Sequence, residues 1–151
     1  MSKKFELTSN FKVFLGRKLF QIKAMVSFGD VKEGDLGGYI EKEENLNHDG
    51  NAWVYGNAKV YGNAKVYGNA EVYGNAEVCD AWVYGNAKVC GNAWVCGDAE
   101  VYGNAWVYGN AKVYGNAKVY GNAEVCGDAW VSGNADYTTV KGFGTEFRTT
   151  T

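Results

Sequence analysis

One histidine, four cysteines, five tryptophans and eleven tyrosines are the side chains of this 151-residue sequence with the chemistry to do something specific. His48, in Asn47-His48-Asp49-Gly50, is the single imidazole, the side chain best suited to act as a general base near neutral pH. Such a base would deprotonate an acceptor hydroxyl or amine, but it also needs a pocket and a positioned partner. A polar residue in a turn-rich loop is its plainer reading. Cys79, Cys90, Cys96 and Cys126 make no C-x-x-C pair and have no second zinc-type ligand beside them, so no metal site is expected. Each stands where neighbouring repeats carry Tyr, and replacement within a repeat accounts for all four. The stretch from Gly29 to Gly38 lacks the Gly-Lys-Ser/Thr ending and the following helix of a phosphate loop, and reads as turn chemistry. What remains is aromatic surface.

The elements that must position these residues are set by one repeat, Gly-Asn-Ala-x-Val-x, running from Asn51 to Asn134. Val recurs every six residues from Val54 to Val78 and again from Val83 to Val131, with Ala two residues before each and one step of five between Val78 and Val83. Ala and Val, one residue apart, face the same side of a short strand and send Lys, Glu or Trp to the other. Gly-Asn then supplies the positive φ of a sharp corner. A helix is excluded, because a period of six scatters the Val residues around its circumference and puts a Gly in each turn. The predicted fold is all-β, a single-stranded parallel β-helix, triangular in section, with three hexapeptides per coil and rungs about 4.8 Å apart. Fifteen Ala-containing units give about five coils. Left-handedness is expected from the six-residue period and from the resemblance described below.

Residues 18 apart, or 17 across the short step, then share a face one rung up. The outward columns are Trp53, Glu71, Lys88, Trp106, Glu124; Lys59, Glu77, Trp94, Lys112, Trp130; and Lys65, Trp82, Glu100, Lys118, Asp136. No like charges are adjacent in any column, as stacked strands require. A second outward set holds Tyr or its replacements, and on the third face it is an unbroken ladder of Tyr67, Tyr84, Tyr102 and Tyr120. The interior of Ala and Val leaves no room for a ligand.

Three segments are expected: an N-terminal β cap over residues 1–35, the coil over 36–137 and a C-terminal tail or partial cap over 138–151. The cap contains a hairpin in which Phe11–Phe14 and Leu19–Met25 flank Gly16-Arg17-Lys18. A formal net charge of −2 with dispersed charges offers no basic face for nucleic acid. Residues 1–12 hold no apolar stretch of signal-peptide length and no later run reaches a membrane span, so the expected location is the cytoplasm.

The segment Phe28-Gly29-Asp30-Val31-Lys32-Glu33-Gly34-Asp35-Leu36-Gly37-Gly38-Tyr39-Ile40-Glu41, followed by Asn45 to Val54 and then the Gly-Asn-Ala repeats, resembles the YdcK-like hexapeptide-repeat proteins of bacteria and their prophages. Their fold is similar to the left-handed β-helix of trimeric hexapeptide acyltransferases. The resemblance implies one alternative function, an acetyl-CoA-dependent acyltransferase working at an intersubunit cleft with His48 as base. It also implies that a C-terminal region of the relatives, after the Tyr137–Gly144 segment, is missing from this sequence.

Against the enzyme stands the absence of any inserted loop from Val54 to Val131 to wall a substrate site. The residues themselves point to a non-catalytic structural or interaction protein without a cofactor. It would bind protein, or its own copies as a lateral trimer or end-to-end stack, through Tyr67, Tyr84, Tyr102, Tyr120, Trp53, Trp94, Trp106 and Trp130.

Overall fold

The computed structural model describes residues 3–133 and the backbone of three further strands, Asp136–Tyr137, Lys141–Phe143 and Glu146–Arg148. The coil forms as the repeat dictates. Each Ala-x-Val unit becomes a two- or three-residue strand, from Trp53–Val54 to Trp130–Ser132, and Val stacks on Val in parallel register up three sheets. From Lys59–Tyr61 to Lys141–Phe143 the strands form five successive triplets, one strand per sheet, so the chain is a β-solenoid. The pairs Trp53↔Glu71, Lys88↔Glu71, Lys88↔Trp106 and Trp106↔Glu124 reproduce the first outward column. Lys59↔Glu77, Trp94↔Glu77, Trp94↔Lys112 and Lys112↔Trp130 reproduce the second. The third follows likewise, although the Asp136 side chain lies outside the described residues.

The core is a thin column in which every repeat Val from Val54 to Val131 is fully buried, with the repeat Ala residues beside them. Burial of one Val contributes about 1.5 to 3 kcal/mol, and repetition rather than bulk makes this interior sufficient.

At a regular corner, Gly takes a positive φ, as Gly85 does at 68°. A Cβ there would lie 2.9 Å from the backbone nitrogen of Gly103 on the next rung, so space as well as torsion demands Gly. The following Asn donates its backbone N–H to the Gly carbonyl one coil on, as Asn69 does to Gly85 at 2.8 Å. The five-residue step has no corner Gly. Asp80 alone replaces Gly-Asn, at a φ of 58°, and its Oδ1 accepts the Asn63 backbone N–H at 2.8 Å. A carboxylate thus stands in for the missing carbonyl. Ala81 and Val83 resume the inward pattern at once, with Val83 paired to Val66 and Val101.

At the N-terminus β1 (Phe5–Phe14) and β2 (Arg17–Ala24) form an antiparallel hairpin. Its turn is Leu15-Gly16, both at positive φ (53° and 75°), one residue earlier than the Gly16-Arg17-Lys18 turn expected. A two-residue turn with both φ positive matches the right-handed twist of the strands it joins, which outweighs the strain at exposed Leu15. β3 (Leu36–Ile40) runs antiparallel to β2 and parallel to Lys59–Tyr61, making hairpin and coil one nine-stranded sheet with β1 at its edge. Leu46 bridges to Val66, and Trp53–Val54 completes the first coil. Beyond the repeat, Lys141–Phe143 pairs with Glu124–Cys126 and Glu146–Arg148 with Trp130–Ser132, both parallel. The sequence signal ends before the pairing does, because backbone bonds need no Ala or Val. No described helix is long and apolar enough to cross a membrane.

Candidate functional site

His48 sits where the hairpin meets the first coil. Its Nδ1 accepts the Lys4 backbone N–H at 3.1 Å, which assigns the ring proton to Nε2. Nε2 lies 2.8 Å from Glu43 Oε1 and donates to it, while the ring stacks on Phe5 with centroids 4.2 Å apart. The Glu43 carboxyl is held below its usual range by hydrogen bonds from Lys3 first and His48 second. An open groove of about 410 Å³ brings His48, Glu43, Leu46, Lys65 and Tyr67 together. A general base needs a free lone pair, and both ring nitrogens of His48 are engaged, Nδ1 with the N-terminal segment at Lys4 and Nε2 with Glu43.

Lys4, beside it, has no counterpart in the sequence expectations. Its side chain is buried, with the ammonium donating to the Ala52 carbonyl at 2.7 Å and the Gly50 carbonyl at 3.4 Å, and lying 4.8 Å from the Phe28 ring centroid. Burial pushes its pKa down from 10.5 to about 8, with Asp49 partly opposing. The ammonium satisfies carbonyls at the open start of the coil. Nothing in a Lys near an N-terminus announces such a role.

Trp53 was expected on the outer surface and is instead 1% exposed. It occupies the predicted outward position, but the cap closes over that face. Phe28 packs edge-on at 5.2 Å and Phe5 at 6.4 Å. Trp94, Trp106 and Trp130 are on the surface as expected, and with Trp82 they keep 37–41% exposure. Lys112 bridges Trp94 and Trp130, 5.7 and 5.1 Å from their ring centroids, while Lys65 and Lys88 lie over Trp82 and Trp106. Trp94, Cys96, Lys112, Tyr114 and Trp130 line a shallow, mostly apolar groove of about 330 Å³.

The Tyr67, Tyr84, Tyr102 and Tyr120 ladder is real and flat. Successive centroids are 4.7, 4.8 and 4.9 Å apart with planes within 4°. Contacts also run diagonally, which the column reading missed. Tyr84 Oη donates to Glu100 at 2.7 Å, Tyr108 to Glu124 at 3.0 Å and Tyr61 to Glu77 at 3.2 Å, always to the carboxylate 16 residues on. Burial, then the Glu100 hydrogen bond, raises the Tyr84 phenol well above its usual value. Corner Asn side chains form ladders of their own: Asn69, Asn86, Asn104 and Asn122 in one, Asn75, Asn92, Asn110 and Asp128 in another, at 3.2–3.4 Å. The recurrence of Asn at a spacing of 18 residues, or 17 across the short step, is the signal for these.

All four cysteines occupy Tyr positions, Cys90 and Cys126 buried, Cys79 and Cys96 partly exposed. Trp106 Nε1 donates to Cys90 Sγ at 3.3 Å. Among the described residues no three His, Cys, Asp or Glu side chains are grouped to hold a metal ion. The class that these observations define is a β-solenoid with aromatic and amide ladders on its outside. No family model and no curated protein matches the chain.

Proposed function

We propose that this chain is a non-catalytic structural and interaction protein of the YdcK-like, prophage-associated hexapeptide-repeat type, working in the cytoplasm through its aromatic faces and without a cofactor. The observation that carries this is the set of four tryptophans left 37–41% exposed on the coil, two of them sharing one apolar groove. Large aromatic side chains on a preordered surface lose little entropy on binding and dominate interface energetics. The partner is a protein surface, foremost another copy in a lateral trimer or an end-to-end stack. The test is mass in solution by light scattering for the wild type, for Trp94→Ser/Trp130→Ser, and for the Ser variants of Tyr67, Tyr84, Tyr102 and Tyr120. The expected result is an oligomer that the Trp pair dissociates. A monomer throughout removes self-association and leaves only a heterologous protein partner.

The groove holding His48, Glu43 and Tyr67 favours a second reading, an acyltransferase that uses acetyl-CoA at an intersubunit cleft. His48 would have to release Glu43 or the Lys4 N–H to accept a proton. Calorimetry with acetyl-CoA separates the two readings, since saturable binding lost in His48→Ala would favour the enzyme.

A further inference from the structure

Cys79 and Cys96 are 17 residues apart in sequence, yet the five-residue step places them on consecutive rungs. They follow the paired Val78 and Val95 by one residue each, in the same parallel sheet. Cα atoms of neighbouring strands lie about 4.8 Å apart, inside the range that a disulfide spans. Each thiol is the foremost electrostatic neighbour of the other. Cys90 and Cys126 share a column too, but Tyr108 separates them and both are buried. Cys79 and Cys96 are thus the single pair of the four on adjacent rungs, and both reach solvent, Cys96 through the groove that also carries the Lys112 ammonium.

We propose that Cys79 and Cys96 form a dithiol modification site, converted to a rung-to-rung disulfide by exchange with a small anionic disulfide of the glutathione class. Cys79 is the attacking group. Its contact with Cys96, foremost, holds its pKa down to about 7, against burial and the Asp80 charge. Cys96 is pushed well up by its contact with Cys79, then by burial and by the charges of Cys79, Asp80 and Glu77, so the pair ionises once as a unit and resists a second ionisation. This order suits exchange. The Cys79 thiolate attacks one sulfur of the small disulfide, forming a mixed disulfide and expelling one small thiolate. Capping removes the Cys79 charge, Cys96 can then lose its proton to solvent, and its thiolate attacks the Cys79 sulfur. The protein disulfide forms, a second small thiolate leaves, and two electrons have passed from the protein to the reagent. The product links two consecutive coils beside the corner that lacks Gly.

The test is exposure of the folded, reduced protein to glutathione disulfide, read by intact mass and peptide mapping. Wild type is expected to lose two hydrogens and yield a Cys79–Cys96 cross-linked peptide, with Cys90 and Cys126 still alkylatable. Cys96→Ser should trap glutathione on Cys79. Cys79→Ser should abolish the cross-link and slow modification at Cys96 at least about tenfold. A wild-type protein that gains stable adducts without cross-linking, or that cross-links through Cys90 or Cys126, overturns the proposal. So does Cys96→Ser if its adduct forms elsewhere. Wild-type mapping needs no variant to fold.

Discussion

Asp80 shows how one residue can do the work of two. Its carboxylate replaces a backbone carbonyl, so Asp80→Ala should lower stability by about 1 to 2 kcal/mol, while Asp80→Asn, which keeps an acceptor oxygen and tolerates positive φ, should lose less than half of that. Urea unfolding of the three proteins measures the difference. Lys4 makes a prediction of opposite character. Its folded pKa of about 8 lies below the unfolded 10.5, so between these values the unfolded chain holds a proton that the folded chain has released. Stability from this group therefore rises with pH through that window and is lowest below about 8. Lys4→Met should flatten the rise, seen by comparing wild type and variant unfolding at about pH 8 and about pH 10 in reductant. Neither residue was legible as a structural part. Asp80 was visible only as a missing glycine, and Lys4 owes its role to carbonyls more than 40 residues away.

The strands, by contrast, were legible nearly to the residue. A period of six with Ala and Val two apart fixes which side chains point inward, and the count of 17 or 18 fixes which rungs meet. What the count did not give is the diagonal contact, because it aligns residues 17 or 18 apart while Tyr leans toward the Glu 16 residues on. The ladder face tests this. Tyr84→Phe keeps the stack and loses the Glu100 hydrogen bond, and should cost about 0.5 to 1.5 kcal/mol. Tyr84→Ala also interrupts the stack between Tyr67 and Tyr102 and should cost about 1 kcal/mol more. Thermal unfolding by circular dichroism ranks the two. The cap was legible as a hairpin but its depth was not, since no pattern in the repeat says that Phe5 and Phe28 will cover Trp53. The tie through His48 predicts faster amide exchange in Phe5–Phe14 of His48→Ala, with the coil from Lys59 onward unchanged.

At the scale of the whole molecule the three sheets are unequal among the described residues, nine, six and five strands, and the hairpin extends one face alone. That face carries Trp94, Lys112 and Trp130 along with both Cys79 and Cys96, so the apolar Trp94–Trp130 groove and the proposed thiol site lie on one side of the prism. Their proximity gives a combined expectation: the disulfide form should alter the Trp94 emission spectrum, which fluorescence before and after oxidation would record. The candidate surface was readable as a list of aromatic residues, and only the coil shows that they fall into neighbourhoods.

The register of the coil also says what would follow from duplicating one hexapeptide of coding sequence. Interior positions would not notice, since every unit offers the same Ala and Val. Every later residue would instead advance by one face. A unit copied after Val107 would put the present Tyr114 above Tyr102, and the present Lys118 where Tyr108 now meets Glu124. Inheritance of the fold and inheritance of the surface are therefore separable here. Copying errors in steps of six reshuffle the exterior while leaving the core intact, and steps of 18 restore it.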